Sequence, residues 1–235
     1  MIKEAVKYQV IKFRKVIMIY YASMFVILMM LAYNLLGGGV MPGMEGITLS
    51  FIFVMIISSF KENLRMFLQN GLSRKSVFYS YIISITGVVM IMGFISTGMN
   101  IILNRYFNYD SVQNSMAYVG NNPILKVITG FIFITVIYMI MAMTALFMII
   151  HYYRMSTKVR VTVYVGVPIL FIGIVILSAE YPENMVIQRI TEFMVAALDS
   201  TSTTNTYWFN TVKLIILGTL SYHLIKKITV QKGDK

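Results

Sequence analysis

VIMIYYASMFVILMMLAYNLL, residues 16–36, runs for 21 residues without one charged side chain. A helix rises about 1.5 Å per residue and a bilayer's hydrocarbon core is about 30 Å thick, so about 20 mostly apolar residues cross it. This stretch meets that requirement unaided. Working outward, five more runs repeat the pattern, over about 44–60, 78–103, 125–150, 161–179 and 207–225. The second is short as a strictly apolar run, Ile47–Phe60, and is lengthened past Glu45 and Lys61. The reading is an all-α membrane protein, one transmembrane domain over 1–235 with six transmembrane helices.

Composition supports the same class. The chain is 58% hydrophobic and only 12% charged, against about 45–50% and about 25% in ordinary soluble domains. So little charge cannot dress a soluble surface, and so much apolar content excludes intrinsic disorder. The absence of cysteine removes disulfide scaffolds, thiolate metal sites and thiol catalysis together. The net charge of +11 would by itself point to nucleic acid. Its distribution points elsewhere. With six spans and the amino terminus inside, segments 1–15, 61–77, 151–160 and 226–235 hold sixteen of the twenty Lys and Arg and only three acids. That is the positive-inside pattern of a multi-pass protein with both termini cytoplasmic. Nucleic acid is therefore not an expected partner; the lipid bilayer is.

Three segments outside the spans carry further information. Residues 1–15 place Ile2, Ala5, Val6, Val10 and Phe13 on one helical face and Lys3, Lys7 and Arg14 on the other. This fits an amphipathic interfacial helix or a plain basic anchor. The run after it is too long for a secretory signal, so Val16–Leu36 is expected as a retained span. The segment KENLRMFLQNGLSRKSV, 61–77, has an apolar stripe of Leu64, Phe67, Leu68 and Leu72 broken by Asn70-Gly71. Asn-Gly is a helix stop and turn, and Ser73 is placed to cap a new helix with Arg74 and Lys75 in its first turn. Such a break suits docking of a cytoplasmic partner; it equally suits an ordinary basic loop. In the 180–206 loop, Pro182-Glu183 is a helix start. An apolar stripe from Val186 to Leu198 then predicts an outer interfacial or re-entrant helix before span six, ending at the Tyr207-Trp208-Phe209 aromatic belt.

Chemistry is sparse. No Gly-x4-Gly-Lys-Ser/Thr sequence is present, so the chain is not expected to hydrolyse ATP or to be an enzyme, and no cofactor is expected. His151 and His223 lie near inner span ends without an acidic neighbour, as interfacial polar tips rather than metal ligands. No Asp, Glu, Arg or Lys lies near the middle of a span, where ion-coupled carriers keep such groups. Energy for any transport would enter from another polypeptide. In span three, Ser80, Ser84 and Gly87 share a face and Gly93 and Thr97 are four apart, a spacing that lets helices approach closely.

KENLRMFLQNGLSRKSVF, 61–78, after a second span, resembles the inner loop of ABC-2-type transporter permeases, above all the small six-span subunits of Gram-positive bacteria; Gly71, Ser73, Arg74 and Phe78 match its form. The resemblance implies a cytoplasmic coupling helix between spans two and three, seated in a groove of a separate ATP-binding cassette ATPase subunit. The contact would be made by Glu62, Arg65, Gly71, Ser73, Arg74, Lys75 and Phe78. It further implies a second permease subunit, identical or a sister, in the bacterial plasma membrane, and export of peptides or other hydrophobic or amphipathic compounds. The alternative is a non-transporting polytopic membrane protein: a sensor, an immunity factor or an assembly partner.

Overall fold

The computed structural model describes residues 2–34, 41–107, 109–111, 123–156, 159–160, 162 and 206–226. Its elements are α1 (Ile2–Asn34), β1 (Met41–Pro42), α2 (Glu45–Gln69), α3 (Arg74–Tyr106), β2 (Tyr109–Asp110), α4 (Pro123–Arg154) and α5 (Thr206–Ile225). Helices α1 to α4 are each long and apolar enough to cross a membrane. Helix α5 coincides with the expected sixth span. The spans and outer helix expected over 161–179 and 180–206 lie outside the described residues, apart from Thr162 and the first residue of α5.

Burial shows which medium the helices are built for. Ile19 on α1 and Phe94 on α3 are 72% and 73% exposed; large apolar side chains stand outward along α1 and α3, at Val54 on α2 and over Ile124–Ile132 on α4. Water would not tolerate so continuous an apolar exterior; lipid does. Among lipids there is no hydrophobic drive to hold helix on helix, so close packing and interhelical hydrogen bonds do it, at about 0.6 kcal/mol per bond. Such bonds tie α1 to α2 and α3, and α3 to α4. Ser84 donates to Gln9 Oε1 at 2.7 Å, Tyr20 and Thr48 share a bond of 2.8 Å, and Ser96 and Tyr138 one of 2.9 Å. At the top, β1 and β2 pair in parallel with Met41 opposite Tyr109.

Helix α1 corrects the expected division at residue 15. The interfacial helix over 1–15 and the span after it are one unbroken helix. Its buried residues Ala5, Gln9, Phe13, Ile17, Tyr20, Met24 and Leu28 recur every three or four positions across that boundary. One stripe packs against the bundle from Ala5 to Leu28, with no Gly or Pro to interrupt the helix. Similarly, no separate coupling helix lies between α2 and α3. Asn63, Leu64 and Phe67 stay buried beyond the expected end of span two, so α2 continues to Gln69, and α3 rises directly from Arg74.

The starts of α1 and α3 and the ends of α2, α4 and α5 meet at one end of the bundle, the basic end. Lys12 pairs there with Glu62, Phe60 stacks on Tyr153, and Phe78 lies 5.6 Å from Tyr222. Helices α4 and α5 both run toward this end, and Gly218 meets Met143 between them.

Candidate functional site

The turn at the basic end is built by local rules. Helix α2 stops at Asn70, whose N–H donates to the Met66 carbonyl. Gly71 follows at φ +78°, the left-handed conformation that reverses a chain after a helix. Leu72 N–H donates back to the Phe67 carbonyl at 3.0 Å, closing the turn. Ser73 is extended, and its Oγ accepts from Ser76 N–H at 3.1 Å, capping α3. Each part of the stop, turn and cap follows the sequence expectation.

The seven residues expected at a partner contact separate into two groups. Arg65, Gly71, Ser73 and Lys75 are exposed at the turn. Glu62 is exposed too, but its carboxylate accepts from Lys12 Nζ at 2.6 Å and so ties α2 to α1. Arg74 is half-buried and Nη1 donates to the Lys226 carbonyl at 3.1 Å, meeting the end of α5. Phe78 is buried, 5% exposed, in an aromatic cluster with Tyr79 and Tyr222. It supports the turn from below rather than presenting a surface.

Among the described residues this end gathers its cations against two acids, Glu4 and Glu62, and several of the cations are held without an acid. The Lys226 ammonium sits 4.1 Å over the Tyr222 ring and the Arg160 guanidinium 4.2 Å over the Tyr152 ring. Arg160 also donates to the Met155 carbonyl at 3.2 Å, where helix α4 ends and its carbonyls attract positive charge. His151 stacks on Phe147 and His223 packs edge-on to Tyr222, both near this end as expected. No group of three His, Cys, Asp or Glu that could hold a metal occurs among the described residues.

Two polar features escape a reading of the sequence. Gln9 and Asn63 are fully buried near the basic end. Lys12 donates to Asn63 Oδ1 at 3.3 Å, while Gln9 Nε2 and Asn63 Nδ2 have no hydrogen-bond partner. Both lie in segments that sequence spacing assigns to the surface; only the continuation of α1 and α2 as packed helices puts them inside. At the opposite end Glu45, 3% exposed in the first turn of α2, lines a cavity of about 10 Å³ with Tyr21, Thr48, Ser96 and Tyr109. A helix N-terminus favours a carboxylate, which is the one signal for its place. Tyr109 accepts from Met44 N–H at 2.9 Å, and burial pushes its phenol up from 10 to about 12 although that bond lowers it.

The fold and this arrangement define a helical, membrane-embedded protein with one concentrated basic end. No protein family, no curated protein and no solved structure matches the chain.

Proposed function

We propose that the chain is the permease subunit of an ATP-binding cassette exporter in a bacterial plasma membrane. It has six spans and both termini in the cytoplasm, and it pairs with a second permease subunit. The observation that carries this reading is the α2–α3 turn itself. Its Gly71-x-Ser73-Arg74-x-x-x-Phe78 pattern resembles the ABC-2-type inner loop, and Arg65, Gly71, Ser73 and Lys75 stand exposed on it beside the basic ends of the other helices. A rigid turn held by Phe78 and Arg74 would pass a push from an ATPase into α2 and α3 together. The substrate would be a peptide or another hydrophobic or amphipathic compound, in keeping with spans that carry no charge at their middle.

The test is purification in mild detergent from a host that also carries the ATPase genes adjoining this one. An ATPase subunit should accompany the wild-type chain and be lost from Arg65→Glu/Lys75→Glu, which changes only exposed side chains. A wild-type chain that purifies without any ATPase sinks the proposal. That result would favour the second reading, a non-transporting membrane protein. One observation favours it already: Glu62, Arg74 and Phe78 make their contacts within the chain.

A further inference from the structure

Helices α1 and α3 leave a trough of about 600 Å³ between them, open to the side of the bundle. Ligand sites for single small molecules run about 300–1,000 Å³. Its walls are apolar: Ile17 and Leu28 on α1 face Val88, Ile91 and Ile95 on α3. Two lining side chains are polar. Tyr21 spends its hydroxyl on the Met92 carbonyl at 3.4 Å. Arg14, exposed, lines the end of the trough nearer the basic end, with Val10 one turn beyond it. Below it on the same face of α1, at helical spacing, come Lys7 and Lys3, both exposed.

Length and charge together select the occupant. From Ile17 to Leu28 the helix rises about 17 Å, close to half of a hydrocarbon core about 30 Å thick. Arg14 then lies at head-group depth, level with the Lys12–Glu62 pair rather than among the lipid tails. A neighbouring helix would fill the apolar walls without supplying an anion to Arg14 by its own chemistry, whereas a lipid carries its phosphate at that depth. An anion bearing a hydrocarbon tail satisfies both parts at once.

We propose that the α1–α3 trough is a binding site for one anionic phospholipid of the leaflet at the basic end, its acyl chain along Ile17–Leu28 and its phosphate on Arg14. The site rests on the membrane placement of α1 to α4 and not on the transport reading, so either can fail without the other.

Native mass spectrometry of the full chain, delipidated in nonionic detergent and titrated with dioleoyl phosphatidylglycerol or dioleoyl phosphatidylcholine, tests it. The first phosphatidylglycerol should bind at least about fivefold more tightly than phosphatidylcholine, as expected for one basic residue at a lipid surface. Arg14→Gln should abolish that preference, and Ile91→Trp, which fills the trough, should weaken both lipids. Inorganic phosphate should not displace the lipid, because it offers no tail. Equal binding of the two lipids overturns the proposal, as does a preference that survives Arg14→Gln or displacement by phosphate. Dimers present in wild type and lost in Ile91→Trp would likewise overturn it, by making a second copy the occupant. Should Ile91→Trp fail to elute as a monodisperse peak, the exposed Arg14→Gln change decides alone.

Discussion

Arg74, the first residue of α3, donates its Nη1 hydrogen bond to the carbonyl of Lys226, 3.1 Å away at the end of α5 and 152 positions later in the chain. A cation at the beginning of one helix thus satisfies the orphan carbonyl at the end of another. Beside it the Lys226 ammonium turns onto the Tyr222 ring. The Arg74 bond and the Phe78–Tyr222 ring contact fasten α5 to the start of α3, while the Lys226–Tyr222 contact stays within the end of α5.

Replacing Arg74 with Gln should therefore act on α5 as well as on any partner. A hydrogen bond to a charged donor contributes about 1.5–3 kcal/mol, and half-burial at a bundle end places this one near the low figure. We expect a lower melting temperature in detergent and faster hydrogen exchange over 222–226. Exchange there at the wild-type rate would mean the contact does not hold α5.

Gly71 holds φ at +78° with nothing crowding it, so its requirement is conformational and not steric. Gly71→Val should cost about 1–2 kcal/mol, the penalty for a β-carbon in the left-handed region, and Gly71→Asn clearly less. Thermal melts of the two variants side by side distinguish this from a packing effect. Equal losses would count against it.

Gly93 is where α3 meets α4: a β-carbon there would collide with Thr135 Oγ1, whereas one on Gly87 would meet nothing. Gly93→Val should destabilise by about 1–3 kcal/mol through overpacking, and Gly87→Val should be close to neutral. Detergent-based unfolding of both reports the contrast. The small-residue face of span three accordingly packs through Ser80, Ser84 and Gly93, while Gly87 faces outward.

Tyr109 gives the loop end a pH dependence with a definite sign. Its folded value, raised from 10 to about 12, favours the neutral phenol. The stabilisation is thus complete below pH 10 and is lost as pH rises through 12. A tyrosinate ultraviolet difference titration of wild type against Tyr109→Phe should show one late-titrating group missing in the variant. A missing group that titrates at the ordinary value would show that the phenol is not buried.

Much of the α2–α3 turn was legible because its causes are local. Asn70-Gly71 stops a helix by backbone geometry and Ser73 caps the next with its own side chain, so neither needs a distant residue. Gln9 and Asn63 were not legible, since a polar side chain near a chain start or a basic loop looks solvated until a neighbouring helix covers it. Glu45 was hidden for the same reason: as a sequence position it marks a span edge, and its burial depends on Tyr21, Ser96 and Tyr109 arriving from elsewhere. The resemblance pointed to Arg74 and Phe78 as contact residues, and no pattern in 61–78 announces that Lys226 and Tyr222 take them up.

By itself the sequence determined that this is a helical membrane protein with its positive charge collected in a few segments. Apolar run length and charge placement are properties of the chain alone, and a bilayer acts on them directly. Only the tertiary structure decided that α1 is one packed helix instead of an anchor followed by a span, and that the basic residues of five helix ends meet. It alone showed which of those cations are held by rings and carbonyls and which stand exposed, as Arg14 does along its trough. Helix crossings set those pairings, through contacts between residues far apart in the chain, and no local spacing encodes them.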